Sequence, residues 1–406
     1  MRQIDLFSEV LHSYAGQNNN TLSNVELYAQ VANRAGIDPK EFAAKVPVGA
    51  TGQQHSLLKR QCRWHQQTLK NSGIIERLDD RRGIWRLTTP ASKDLNQINP
   101  GVAVVGFSTT LGIAILGSCE TVFSKIDAPI VLCLTSPPYA LANPRAYGNI
   151  CEHHYVDWIT KTLEPVVKNL VDGGSLLLNV SNDIFMRGVP ARSMYCERLI
   201  LALHDRLGLH KVDQLIWSNP SKPPGPVQWA SKERVQLNVA WEPIYWLTNN
   251  PRNLRSDNRR VLQEHSQRHL ELIRSGGEQR IATSSDGAYA IRRGSYGNET
   301  AGRIPRNVLE FGHACADQQM YKKNARALGL PAHGAPMPLA LARFLIEFLT
   351  EPGEIVCDPF GGSMSTARAA EMLGRRWLSS ENILEYVLGA ATRFDQCEGF
   401  HLDIAA

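Results

Sequence analysis

One stretch constrains this chain more than any other: Glu354-Ile355-Val356-Cys357-Asp358-Pro359-Phe360-Gly361-Gly362-Ser363. It is followed by a helix-forming segment from Thr366 to Leu373 and then by Arg376-Trp377-Leu378-Ser379-Ser380-Glu381. An apolar strand enters a glycine-rich turn, the turn opens a helix, and the next strand ends in an acid. That order predicts half of a Rossmann-type unit, in which a ligand lies over the turn and the acid takes ribose hydroxyls. Glycine matters there because it lacks a Cβ and lets a ligand approach the backbone. The turn is not the G-x-G-x-x-G of a dinucleotide site, and no lysine follows it as in a triphosphate-binding loop. A nucleoside without a pyrophosphate fits it better than NAD or ATP.

A second strand, Pro129-Ile130-Val131-Leu132-Cys133, runs into Leu134-Thr135-Ser136-Pro137-Pro138-Tyr139-Ala140. Two prolines fix φ and remove two backbone donors, so the loop's carbonyls are free to accept. Such a clamp can hold a flat, amine-bearing ring. Tyr139 would stack on its face while Ser136 Oγ and the Pro137 carbonyl accept from the exocyclic NH₂. Taken alone, the tetrapeptide fits a strand ending in a proline turn equally well, and the rest of the chain decides between the two.

With 406 residues, 43% apolar and 20% charged, the chain has room for two or three globular domains. No apolar run is long enough to span a bilayer, and Met1-Arg2-Gln3-Ile4-Asp5 lacks the plan of a signal peptide, so a cytoplasmic protein is expected. The eight cysteines contain no C-x-x-C pair. Cys62, Cys133 and Cys357 sit in apolar patterns, which favours reduced core thiols over zinc or disulfides. Charge is unevenly spread. Basic side chains outnumber acidic ones by thirteen to nine over residues 1–95 and by fourteen to eight over 251–330, but are outnumbered five to ten over 331–406. Two basic blocks flanking neutral and acidic parts suit a protein that meets a polyanion at two places.

Residues 1–95 predict a small helical domain closed by a hairpin. Ser23 caps a helix carrying Val25, Leu27, Tyr28, Val31 and Ala32 and ended by Gly36. A second helix, from His55 to about Ser72, carries Leu57, Leu58, Trp64 and Leu69 together with Lys59, Arg60, Arg63 and Lys70, and has no acid. Ile74–Leu78 and Ile84–Thr88 form a hairpin tipped by Arg81 and Arg82. The arrangement is similar to a winged helix-turn-helix, with Lys59, Arg60 and Arg63 facing a DNA groove or, alternatively, the whole domain serving a protein partner. After a polar connection the chain alternates strands (113–116, 130–134, 174–180, 212–217, 239–248) with helices (155–171, 194–206), which predicts an α/β domain: a largely parallel sheet with helices on both faces. Residues 251–330 break that rhythm with arginines and glycine loops, as an insertion or separate lobe would.

Taken in order, S-P-P-Y at 136–139, D-P-F-G-G-S at 358–363 and Glu381 resemble the amino-methylating DNA methyltransferases of the permuted β class. In that class a catalytic half precedes a recognition region and an S-adenosylmethionine half. Asn219–Pro226, Asp257–Leu262 and Arg303–Leu309 are further similar to the PvuII-type cytosine-N4 enzymes. The resemblance covers about residues 110–395. It implies a Rossmann-like methyltransferase sheet divided into a catalytic half (104–250), a target-recognition lobe (251–330) and a cofactor half (331–406), behind the winged-helix-like domain. Ser136, Pro137, Pro138 and Tyr139 become the catalytic loop around a flipped base. Asp358, Pro359, Phe360, Gly361, Gly362 and Ser363 line the cofactor, Glu381 takes its ribose, and Met337 and Pro338 close over its methionine part. Lys222, Arg259, Arg260, Arg292 and Arg293 become DNA contacts alongside Lys59, Arg60 and Arg63.

The implied activity is site-specific methylation of cytosine N4 in duplex DNA, since Ser rather than Asp at position 136 is that family's usual mark of cytosine over adenine. Adenine N6 methylation by the same fold is the alternative. A reading of a different class is a winged-helix regulator with an inactive methyltransferase domain, and its motive is one departure: where the family has a G-D dipeptide contacting the cofactor's adenine amine, Gly117 is followed by Ser118, with Glu120 as a substitute acid. No cysteine adjoins the prolines, so a covalent C5 mechanism has no nucleophile there. The resemblance also leaves room for a companion restriction endonuclease.

Overall fold

A computed structural model describes residues 9–10, 13–14, 21–48, 53–71, 75–78, 83–87, 95–140, 152–283, 286–313 and 315–405. The frame among these residues is a nine-stranded sheet. Its strands are β1 (Ala103–Ser108), β2 (Gly112–Gly117), β3 (Ile130–Thr135), β4 (Leu170–Asn179), β5 (His210–Ser218), β6 (Trp241–Thr248), β7 (Val308–Glu310), β8 (Ile355–Asp358) and β9 (Arg376–Glu381). They lie in the order β7-β5-β6-β4-β3-β8-β9-β2-β1. The block β4-β3-β8-β9-β2 is parallel. β6 runs antiparallel to both β4 and β5, and β1 antiparallel to β2. The strands expected from the apolar runs are present. β1 was hidden in the sequence behind a polar connection.

The sheet is covered on both faces by α2 (Glu152–Lys168), α3 (Tyr195–Leu207), α5 (Leu339–Leu349), α6 (Ser365–Met372) and α7 (Leu384–Ala391); α1 (Cys119–Phe123) follows β2 and α4 (Ala316–Ala327) packs on α7. Strand alternation sorts the two sides. Leu132 and Leu134 share a core with Leu345 and Ala367, whereas Cys133 between them joins Ile159 and Leu199 on the other face. A parallel strand buried on both faces reads as an unbroken apolar run, as 130–134 does. Because the central strands are parallel, their carboxyl ends share one edge. β6, being antiparallel, presents its amino end there.

In the N-terminal unit, helices Asn24–Ala35, Pro39–Ala43 and Leu57–Asn71 accompany a small sheet in which Thr21–Ser23 and Ile75–Arg77 both pair with Ile84–Leu87. Ser23 and Glu26 form a reciprocal capping box, and Gly36 ends the helix in the left-handed region. Three residues expected on apolar faces point outward: Val25, Leu57 and Trp64 are 77%, 51% and 55% exposed. Cys62 is buried on the long helix as expected, and Gln66 is buried with it, donating to Tyr14 Oη and Asn24 Oδ1. Arg60 and Arg63 are exposed, while Lys59 is half-buried with Nζ 5.5 Å from the Tyr28 ring centre. Arg81 and Arg82, expected at the hairpin tip, lie outside the described residues.

The arginine-rich stretch is not uniform. Val308–Glu310 adds edge strand β7, parallel to β5, and α4 belongs by packing to α7. Arg260, expected as a DNA contact, ties this stretch to the sheet domain. Its guanidinium reaches Glu351 at 2.7 Å and the Phe348 and Arg255 carbonyls, and Arg255 itself pairs with Glu354. Sequence could not separate a structural arginine from a free one, because the acid that Arg260 meets lies 91 residues further on and the one that Arg255 meets lies 99. Arg259 remains largely exposed but is gripped by both oxygens of Asp257. Arg292 and Arg293 are exposed on the loop after Ala290–Ile291. Among the described residues no helix is long and apolar enough to cross a membrane.

Candidate active site

The carboxyl edge of the parallel block opens into a cavity of about 340 Å³. Ser136, Pro137, Pro138 and Tyr139 after β3 line it together with Asp358, Pro359, Phe360, Gly361, Gly362 and Ser363 after β8, Glu381 at the end of β9, Ser118 after β2, and Met337. Sequence elements more than two hundred residues apart therefore share one wall. Pro338 is not among the lining residues and instead stands at the N-cap of α5. Gln97, Glu120, Trp158 and His333 were not singled out as primary site residues, yet they also line it.

Two buried carboxylates define the glycine-turn side. Glu381 accepts from the backbone N–H groups of Gly362 (2.7 Å), Asn382 (2.9 Å) and Ile383 (3.0 Å). Asp358 accepts from Thr135 Oγ1 (2.7 Å) and Phe360 N (3.1 Å). Burial pushes Asp358 up to about 6 and Glu381 up to about 7, against the pull of those hydrogen bonds. The turn is glycine for steric reasons: a Cβ at Gly361 would sit 2.4 Å from Ser379 Oγ, and Gly362 has φ +51° with the His333 ring 3.1 Å from its would-be Cβ. The cavity wall holds no lysine or arginine among the described residues, but does hold Asp358, Glu381 and Glu120. A wall of that charge rejects phosphates and accepts a neutral nucleoside or a cation.

On the other side, Ser136 Oγ and Tyr139 Oη lie 3.2 Å apart, and both contact Asn179 Oδ1, at 3.3 and 3.0 Å. Asn179 Nδ2 donates to the Pro243 carbonyl at 3.2 Å, which orients the amide with its oxygen toward the loop. Tyr139 also reaches Glu242 Oε2 at 3.1 Å, so its single hydroxyl proton has two acceptors in range. Burial first, and the Glu242 charge second, hold the phenol well above its ordinary pKa, and it remains a donor. Glu242 in turn pairs with Lys222 Nζ at 3.0 Å. That pairing corrects the expectation for Lys222, which is half-buried and committed to this network rather than presented as a free DNA contact. Asn179 and Glu242 were missed, although each left a trace: a polar residue closing the run Leu176-Leu177-Leu178, and an acid just before Ile244-Tyr245-Trp246.

Ser118 lines the cavity, but its Oγ accepts from Thr121 N at 3.2 Å and lies 2.9 Å from Thr121 Oγ1, capping α1. Glu120 accepts from Thr162 Oγ1 at 2.6 Å and also lines the cavity. Cys119 also lines the wall, yet its thiol donates to the Thr162 carbonyl and burial raises it well above an ordinary thiol, so it offers no nucleophile. The rings of Trp158 and Phe360, 5.7 Å apart, form an apolar floor.

The proline loop and the glycine turn, with its two buried carboxylates, thus face one cavity. The chain belongs to the DNA methylase family, which matches residues 130–392, and residues 5–97 match the Mrr N-terminal domain. The type II methyltransferase M.PvuII of Proteus hauseri is 34% identical over 309 residues, covering 76% of this chain and 90% of that relative. The DNA adenine methyltransferase YhdJ of Escherichia coli is 22% identical over 69% of this chain and 81% of its own length. The solved PvuII DNA methyltransferase, described as cytosine-N4-specific, superposes with a TM-score of 0.56 at 30% identity, covering 72% of this chain and 89% of that one.

The raised carboxyls couple stability to pH. Unfolded carboxyls titrate near 4, whereas the folded state keeps protons on Asp358 to about 6 and on Glu381 to about 7. Between those values the folded state binds more protons than the unfolded one. The stability these groups contribute is therefore complete below about pH 4 and is lost as pH rises through 6 to 7. Chemical denaturation from pH 5 to 8 should show wild-type stability falling more steeply than that of Glu381→Gln, by about 2–3 kcal/mol over the range. Parallel slopes would contradict the assignment.

Proposed function

We propose that the protein transfers a methyl group from S-adenosylmethionine to the N4 amine of a cytosine flipped out of duplex DNA at a specific sequence. The observation that carries this reading is the adjacency of Ser136 and Pro137, as amine acceptors, to a cavity walled by carboxylates and, among the described residues, by no lysine or arginine. Kinship with M.PvuII supports the choice of base, as does serine rather than aspartate at position 136.

The residues present fit the cofactor. Glu381, held by three backbone donors, two on Oε1 and one on Oε2, has an acceptor position left on Oε2 for a ribose hydroxyl. Asp358 and Glu120 would favour a positive ligand, Phe360 would give its base an apolar surface, and Met337, on the same wall, would close over its methionine part. Bound there, S-adenosylmethionine supplies an electrophilic methyl on a sulfonium. The chain's own task is to prepare the amine, whose lone pair is delocalised into the ring. Ser136 Oγ and the Pro137 carbonyl would accept hydrogen bonds from its two N–H groups and so favour a pyramidal nitrogen with a free lone pair; as the methyl passes to it from sulfur, a neutral thioether would be left and the nitrogen would release one proton to solvent. Ser136 can accept because its own proton is directed to Asn179 or Tyr139. Asn179 and Glu242 hold the Tyr139 hydroxyl, which fixes the plane of the ring that faces the base.

DNA is taken to meet two basic surfaces, the exposed Arg60 and Arg63 of the N-terminal helix and the Arg292–Arg293 loop of the lobe. On this division residues 1–95 and 251–330 serve DNA, while 104–250 and 331–406 serve chemistry and cofactor. A cytoplasmic setting accords with the seven unbridged cysteines among the described residues. A restriction endonuclease reading the same sequence is the companion such an activity would serve.

Nucleoside digestion and mass spectrometry of DNA incubated with the protein and S-adenosylmethionine should give N4-methylcytosine as the main modified base, and N6-methyladenine in its place would sink the reading. Ser136→Ala should lose most transfer, on the order of a hundredfold or more, while still binding the cofactor. For the lobe, neutralising Arg292 and Arg293 together should lower DNA affinity and reduce the slope of log K against log salt by roughly two. An unchanged slope would move DNA contact away from this loop.

A further inference from the structure

Residues 95–99, which connect the N-terminal unit to the sheet domain, do not pass the cavity at a distance. They run antiparallel to the segment just after Glu381, with Gln97 bridged to Ile383, Ile98 N donating to the Asn382 carbonyl at 2.9 Å and Leu384 N to the Asn96 carbonyl at 3.0 Å. Asn96 is anchored again by Glu385, whose carboxylate accepts from its backbone N–H at 2.7 Å and from its side-chain amide. Strand alternation then decides what faces where. Asn96 and Ile98 are buried, 6% and 5% exposed, and Gln97 between them is turned the other way, exposed and lining the mouth of the cavity.

We propose that this connection is a strap forming the outer wall of the nucleoside pocket, and that Gln97 is a further residue that positions the nucleoside part of the ligand. The proposal rests on the S-adenosylmethionine reading given above. Its chemistry follows from place and side-chain type. Gln97 is paired to the backbone two residues beyond the acid that takes the ribose, and its amide carries both a donor and an acceptor, as the hydroxyls and base edge of a nucleoside require. The strap also holds in register the Asn382 and Ile383 amides that orient Glu381, so the positioning acts on a preformed element.

The test uses the full-length chain and calorimetric titration with S-adenosylmethionine and, separately, with adenosine. Gln97→Ala should weaken both ligands by the same factor, about three- to tenfold, the range expected for one uncharged hydrogen bond. The melting temperature of the ligand-free protein should be unchanged, because the side chain is exposed. Wild-type affinity in the variant would overturn the proposal. So would a weakening accompanied by a lower melting temperature, or one seen with S-adenosylmethionine but absent with adenosine. Failure of the wild-type protein itself to bind S-adenosylmethionine would overturn the cofactor reading instead, and the two failures are distinguishable in one experiment.

Discussion

The hydrogen bond from Thr135 Oγ1 to Asp358 Oδ1, 2.7 Å long and fully buried, is the contact on which the site depends. It crosses between β3 and β8, neighbouring parallel strands more than two hundred residues apart in the chain. Each strand ends at once in half of the site, the proline loop from one and the glycine turn from the other. A second link runs the same way, from Thr366 Oγ1 at the start of α6 to the Leu134 carbonyl at 3.2 Å. A buried carboxylate must be satisfied, and stripping a partner from it costs about 1.5–3 kcal/mol. Sliding one half against the other would strip Asp358 of Thr135 and leave it the Phe360 N–H of its own turn, so the register of proline loop and glycine turn is fixed by the sheet itself.

Around that contact the charges are segregated by task. Among the described residues the cavity is lined by acids and by no lysine or arginine, while basic side chains elsewhere are exposed, as Arg63 and Arg292 are, or spent on internal acids, as Arg260 and Lys222 are. Lys222 shows how a basic residue near the site serves orientation: it holds Glu242, Glu242 and Asn179 hold the Tyr139 hydroxyl, and the loop is thereby stiffened from behind. Asp317 plays a comparable part on the cofactor side by pairing with the buried Arg393, which also bonds the Ser363 carbonyl of the glycine turn.

How much of this was legible depended on distance along the chain. The glycine turn, the acid closing β9, the S-P-P-Y loop and the Ser23 and Gly36 caps are local patterns, and each stands where its sequence placed it. Residues whose role is set by partners far away were not legible. Asn179 looks like a strand end, Glu242 like a surface acid, Arg260 like a phosphate contact, and Gln97 like part of a linker. Only the sheet order brings them to their partners. Helix periodicity alone likewise put Trp64 and Leu57 on an inner face, whereas the long helix buries Cys62, Gln66 and Leu69. The antiparallel turn of β6 was invisible for the same reason, since an apolar run carries no direction.

The measurement that bears most directly on a site assembled across two distant halves is cofactor affinity and single-turnover methyl transfer in Thr135→Val, which keeps the side chain's shape and removes only the bond to Asp358. S-adenosylmethionine binding should weaken by about tenfold or more, in line with a lost hydrogen bond to a charged group, together with slower transfer at saturating cofactor. Wild-type affinity and rate in that variant would contradict it.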